Sequence, residues 1–170
     1  MANTYTLIAS SVVGAGGATN IDFSSIPSTY TDLLIKMSAR SNKSDVDQLF
    51  TVAFNGSTTN SNSKNLQGDG STGSSGSSAT LIFAIGDGNN STASVFGNCE
   101  IYITNYANTS YNKSSSMDGV SETNATNVGS ILQAGLWSNT AAINRITLTP
   151  NGGQTILQYS TAYLYGIKNS

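Results

Sequence analysis

Tyr159-Ser160-Thr161-Ala162-Tyr163-Leu164-Tyr165 alternates in character residue by residue. On an extended chain Tyr159, Thr161, Tyr163 and Tyr165 share one face, and Ser160, Ala162 and Leu164 share the other. Ile143-Asn144-Arg145-Ile146-Thr147-Leu148 alternates in the same way, with Ile146 and Leu148 opposite Arg145 and Thr147. This pattern suits a sheet with one face buried. Short apolar runs recur upstream at Tyr5–Ala9, Leu33–Met37, Leu49–Phe54, Leu81–Ile85, Glu100–Ile103 and Ile131–Ala134. Turn formers separate them, among them Gly14-Ala15-Gly16-Gly17, Asn55-Gly56 and Asn151-Gly152-Gly153. That punctuation predicts about nine or ten strands. No window carries an apolar stripe at helical spacing; the best helical candidate is a turn or two over Ser41–Asp47. The expected fold is all-β, a two-sheet antiparallel sandwich of the jelly-roll type, in one domain over residues 1–170.

One stretch breaks the rhythm. Gly56 to Ser78 reads GSTTNSNSKNLQGDGSTGSSGSS, with Leu66 its one apolar side chain. Its composition is that of a flexible loop that leans on a neighbouring subunit or strand. Deleting Asn60 to Ser75 is therefore expected to leave the domain folded, because loop length costs little entropy.

Composition excludes several chemistries. Of 170 residues, 66 are Ser, Thr or Asn, while 9% are charged. Histidine is absent and Cys99 is the lone cysteine, so neither an internal disulfide nor a usual zinc site nor a histidine-based catalytic triad can be built. No apolar run reaches the roughly 18 residues of a membrane-spanning helix. The opening Met1-Ala-Asn-Thr-Tyr-Thr-Leu-Ile has no basic region and does not read as a signal peptide. Seven basic and nine acidic residues form no basic stripe for nucleic acid. The expected protein is not an enzyme and carries no cofactor or metal.

The remaining motifs read as structure more readily than as chemistry. Gly68-Asp69-Gly70 and Gly86-Asp87-Gly88-Asn89 each offer one carboxylate, too few for calcium, and are expected to be turns. Asp118 and Glu122 are the closest late acid pair, but four positions of strand span about 13 Å. Cys99 lacks an activating base and is expected to pack beside a strand. The asparagine sequons follow from composition. Tyr102, Tyr106 and Tyr111 lie close in sequence among asparagines and are the candidate platform for a host glycan, through aromatic stacking.

Several strings resemble a family of small virion proteins from marine tailed bacteriophages. They are Ala2-Asn-Thr-Tyr-Thr-Leu-Ile-Ala-Ser-Ser11, Gly14-Ala-Gly-Gly, Ile21 through Leu33, Phe96 through Tyr106, Ala134 through Ile143 and Tyr163 through Ser170. The resemblance covers nearly the whole chain and transfers no functional residue. It implies a structural role on the virion surface after synthesis in the host cytoplasm, as a head decoration (cement) protein or a tail-fibre module. The implied partners are the phage major capsid protein and sister subunits, usually in a closed homotrimer. The segments expected to make those contacts are the N-terminal stretch Met1–Ser11, with Tyr5, and the Gly56–Ser78 loop, with Asn60, Lys64, Asn65 and Leu66.

Overall fold

The computed structural model describes residues 4–79, 82–121, 123 and 129–168. Among them the chain forms twelve strands: β1 (Tyr5–Val12), β2 (Ile21–Phe23), β3 (Asp32–Ala39), β4 (Asp47–Phe54), β5 (Ser61–Gly68), β6 (Gly73–Ser78), β7 (Ile82–Asp87), β8 (Gly97–Ile103), β9 (Lys113–Ser121), β10 (Gly129–Trp137), β11 (Ile146–Pro150) and β12 (Thr161–Ile167). They pair antiparallel in two sheets, ordered β1-β12-β3-β8-β9-β10-β5-β6 and β2-β11-β4-β7. The fold is thus an all-β antiparallel sandwich.

The strand order resolves into a scaffold and an extension. β1-β12-β3-β8 facing β2-β11-β4-β7 is the eight-stranded double Greek key of a jelly roll. The other four strands are two hairpins inserted into it, β5–β6 between β4 and β7 and β9–β10 between β8 and β11. They meet through the β10–β5 ladder and widen the first sheet into a wing.

Alternation drives the packing. In β4, Gln48, Phe50, Val52 and Phe54 are buried between less buried neighbours. In β8, Cys99, Ile101 and Ile103 are buried, and in β12 Ala162 and Leu164. These residues meet Ile21, Phe23, Ile146 and Leu148 of the smaller sheet in one core. Trp137 closes it at the foot of the wing, its ring 5.5 Å from that of Phe54. Beneath the wing the inner face turns small and polar, with Ser61, Ser63, Ser115, Ser121 and Gln133 buried. Gly119 and Gly135 belong to that face: a side chain on either would run into Ile85 or Ile82 of β7.

Three expectations are corrected. Gly56–Ser78 is not a loop but contains β5 and β6. Its serines, too small to make a core, fit the pleat, and β10 supplies a ladder of eight registered pairs from Ser61↔Trp137 to Gly68↔Ser130. The Asp69 carboxylate caps the turn, accepting the N–H groups of Ser71 (2.9 Å) and Thr72 (2.6 Å). Ser41–Asp47 forms no helix; Ser41 bridges Ile156 and Asp47 opens β4. From Tyr5 onward the N-terminal stretch is the edge strand β1, zipped to β12, as its apolar run predicts; Met1–Asn3 lie outside the described residues. Tyr159 does not continue the alternating face of β12, because a turn at Leu157–Ser160 precedes that strand.

Candidate functional site

Among the described residues nine large hydrophobic side chains are exposed, and seven of them stand on one surface. That surface is the outer face of the eight-stranded sheet. Strand register places them there: Tyr5, Leu7 and Val12 on β1 lie opposite Ile167, Tyr165 and Thr161. On the wing, Val120, Leu132, Leu136 and Leu66 occupy the exposed positions of β9, β10 and β5. Leu66 is directly opposite Leu132, and both are more than half exposed. Beside them β6 carries only Gly and Ser, so the face drops into an open groove of about 660 Å³ lined by Lys64, Leu66, Ser75, Ser77, Leu132 and Ala134. The seven side chains form two apolar patches, one on the β1 edge and one on the wing, and a contiguous patch of this kind is the ordinary mark of an interaction site.

Charges cross the centre of this face in one row. Lys36, Glu100, Asp118, Leu132 and Leu66 follow one another across β3, β8, β9, β10 and β5. Lys36 Nζ lies 2.6 Å from Glu100 Oε1. The pairing raises the Lys36 pKa, first through the hydrogen bond to Glu100. Glu100 and Asp118 are directly opposite, a destabilising arrangement of like charges that Lys36 offsets. The sequence neighbour proposed for Asp118, Glu122, lies outside the described residues.

The predicted contact residues separate. Tyr5, Lys64 and Leu66 lie on the outer face. Asn65 points to the other side of β5, opposite Gln133. Asn60 precedes β5, its carbonyl accepting the Ser138 N–H at 2.8 Å. The tyrosine platform is overturned as a unit. Tyr106 is fully buried and its hydroxyl donates to the Pro27 carbonyl, so its ring belongs to the core. Tyr102 stands on the outer face and donates to Asp32 Oδ2 at 2.6 Å, which pushes its hydroxyl up to about 12. Tyr111 is exposed in the β8–β9 connection. Three tyrosines within ten residues thus go to three environments.

Buried polar groups act as struts. Lys113 is buried, and its ammonium donates to the carbonyls of Asn108 (2.7 Å), Tyr111 (2.7 Å) and Thr140 (3.1 Å), tying two connections at one end of the sandwich. Burial lowers its pKa. Cys99 is buried, and desolvation pushes its thiol up to about 12. Asp87 accepts the Ser121 hydroxyl at 2.5 Å in the core, and Asp69 holds its own turn. Among the described residues no group of three or more His, Cys, Asp or Glu is placed to hold a metal ion.

Leu132, Leu136 and Val120 were missed in the sequence. The available signal was Ile131 through Trp137, where both parities of a strand are apolar, so that burying one face leaves the other exposed. No protein-family model, curated protein or solved structure matches the chain.

Proposed function

We propose that this protein is a non-catalytic structural piece of a bacteriophage particle, a head decoration protein on the virion surface. It attaches through the outer face of its eight-stranded sheet to the major capsid protein and to sister subunits in a closed trimer. The observation that carries this reading is the gathering of seven exposed large hydrophobic side chains on that one face. Covering a leucine there is worth about 2 kcal/mol before the cost of association, so the wing alone offers several such contributions. Repetition around a ring multiplies modest contacts into firm attachment. The family resemblance supplies the setting, and the jelly-roll scaffold supplies a rigid mount for the wing. The tail-fibre reading drew on the tyrosine platform, which Tyr106 leaves incomplete.

The test is to mix the purified protein with undecorated heads and count bound copies by quantitative gel and particle imaging. Hundreds of copies per head, falling at least tenfold in a Leu66→Thr, Leu132→Thr variant of unchanged melting temperature, support the reading. Absence from the head, or a dozen copies at the tail, overturns it.

A further inference from the structure

Loops at one end of the sandwich line a second, open concavity, of about 470 Å³, away from the wing's apolar groove. Its walls are the Gly14–Gly17 turn, residues 94–96 and residues 155–159. Gly17 makes one wall possible: at φ 71 its Cα lies so close to Thr155 and Ile156 that a Cβ would collide with them.

Two residues lining this cleft hold a backbone conformation that their side chains disfavour. Ser94 has φ 64 and Tyr159 has φ 73. Each is the third residue of a closed turn: Val95 N–H donates to Thr92 C=O at 3.2 Å, and Ser160 N–H donates to Leu157 C=O at 3.2 Å. Positive φ at that position alone marks a type II turn, where glycine is the ordinary occupant. An aromatic residue there is strained. Burial does not compensate, because Tyr159 is 70% exposed, more than any other large hydrophobic residue described. Glycine would serve the fold better at this position. Strain of this kind concentrates where a ligand uses the strained group.

The lining specifies that ligand. Tyr159, Phe96 and Leu157 give it an apolar side, and Ser94, Thr155 and Gln158 give it hydroxyl and carboxamide groups. Arg40 is the one ionisable cation lining it, and its guanidinium is engaged elsewhere. It donates to the carbonyls of Asn89 (3.1 Å), Ser91 (3.0 Å), Thr92 (2.7 Å) and Val95 (2.9 Å) and to the Ser91 hydroxyl (3.0 Å). The cleft therefore presents a stacking surface and uncharged polar groups, and its one charged group, Arg40, spends its guanidinium on backbone carbonyls and the Ser91 hydroxyl. We propose that it binds a neutral saccharide ring, stacked on Tyr159 with its hydroxyls on Ser94, Thr155 and Gln158. The site is independent of the attachment face, so either can fail without the other.

Amide NMR titrations with galactose, mannose, glucose and N-acetylglucosamine test the proposal, with N-acetylneuraminate as the charged control. At least one neutral sugar is expected to shift the Gly16, Gly17, Ser94 and Phe96 amides. Tyr159→Gly is expected to raise the melting temperature by relieving the turn while weakening that sugar by about tenfold or more, and Tyr159→Phe is expected to keep it. The proposal is overturned if none of the neutral sugars shifts these amides, if N-acetylneuraminate alone does, or if binding survives Tyr159→Gly unchanged. A lowered melting temperature in both Tyr159→Gly and Tyr159→Asn, which also tolerates the turn, overturns the strain on which it rests.

Discussion

Tyr102 and Tyr106 sit four positions apart and have opposite fates, which only non-local packing decides. β8 ends at Ile103, so Tyr102 still obeys strand alternation and stands on the outer face. Tyr106 lies past that end, where the chain folds over the edge of the core and carries its ring inward. The identity and spacing of the tyrosines were plain in the sequence; the exit point of the strand was not. Tyr102 has a measurable consequence. Its hydroxyl donates to Asp32, and its pKa stands at about 12, above the ordinary 10. A raised pKa means that the protonated phenol is stabilised in the folded state. The contribution is complete below pH 10 and disappears as pH rises through 12. A shift of that size is worth a few kcal/mol at most, which partial exposure reduces to about 1 kcal/mol. Urea unfolding of the wild type should lose about that much between pH 10 and 12 relative to Tyr102→Phe. The variant should already lack it at pH 8. Parallel stability curves for the two proteins across that interval would remove the Asp32 bond as the cause.

The β5–β6 hairpin shows how far composition misleads at the scale of an element. Gly56–Ser78 has the content of a linker because its strands contribute almost nothing apolar, and apolar alternation is the signal by which strands are recognised. What makes it a hairpin is the vacant edge of β10, more than 50 residues away, together with the Asp69 cap. The scaffold strands were legible because burial on one face wrote itself into their alternation. The wing was not, because its inner face is built from Ser61, Ser63, Ser115 and Gln133, which look like surface. The expectation for deletion is accordingly reversed. Removing Asn60 to Ser75 strips the ladder from β10, bares its backbone groups and uncovers one side of Trp137. The melting temperature of the free subunit should fall by several degrees, corresponding to at least about 2 kcal/mol, and the new edge should promote aggregation. Circular dichroism melts and light scattering check both. Leu66→Thr, which changes the outer face without touching the ladder, should melt like the wild type.

At the scale of the whole molecule the two inserted hairpins have a common logic. Each interrupts the jelly roll at a connection, and joined they lengthen one sheet without adding a strand to the other. A lone sheet extension cannot cover both of its faces, so its outer side is available for contact by construction. The charges on that side are few: Lys36 is tied to Glu100, Asp118 stands beside that pair at the centre, and Lys64 lies on the wing. Attachment through this face draws on apolar burial, with no long-range field to steer or hold it. Raising ionic strength screens charge pairs and leaves apolar burial intact or strengthened. Affinity for heads should therefore change by less than about threefold between roughly 0.05 and 0.5 M sodium chloride, and sodium sulfate at equal ionic strength should tighten it. Binding isotherms on purified heads at fixed pH measure this directly. A steep logarithmic loss with salt would mean that charges carry the contact, which would move the interface off the Leu66–Leu132 face.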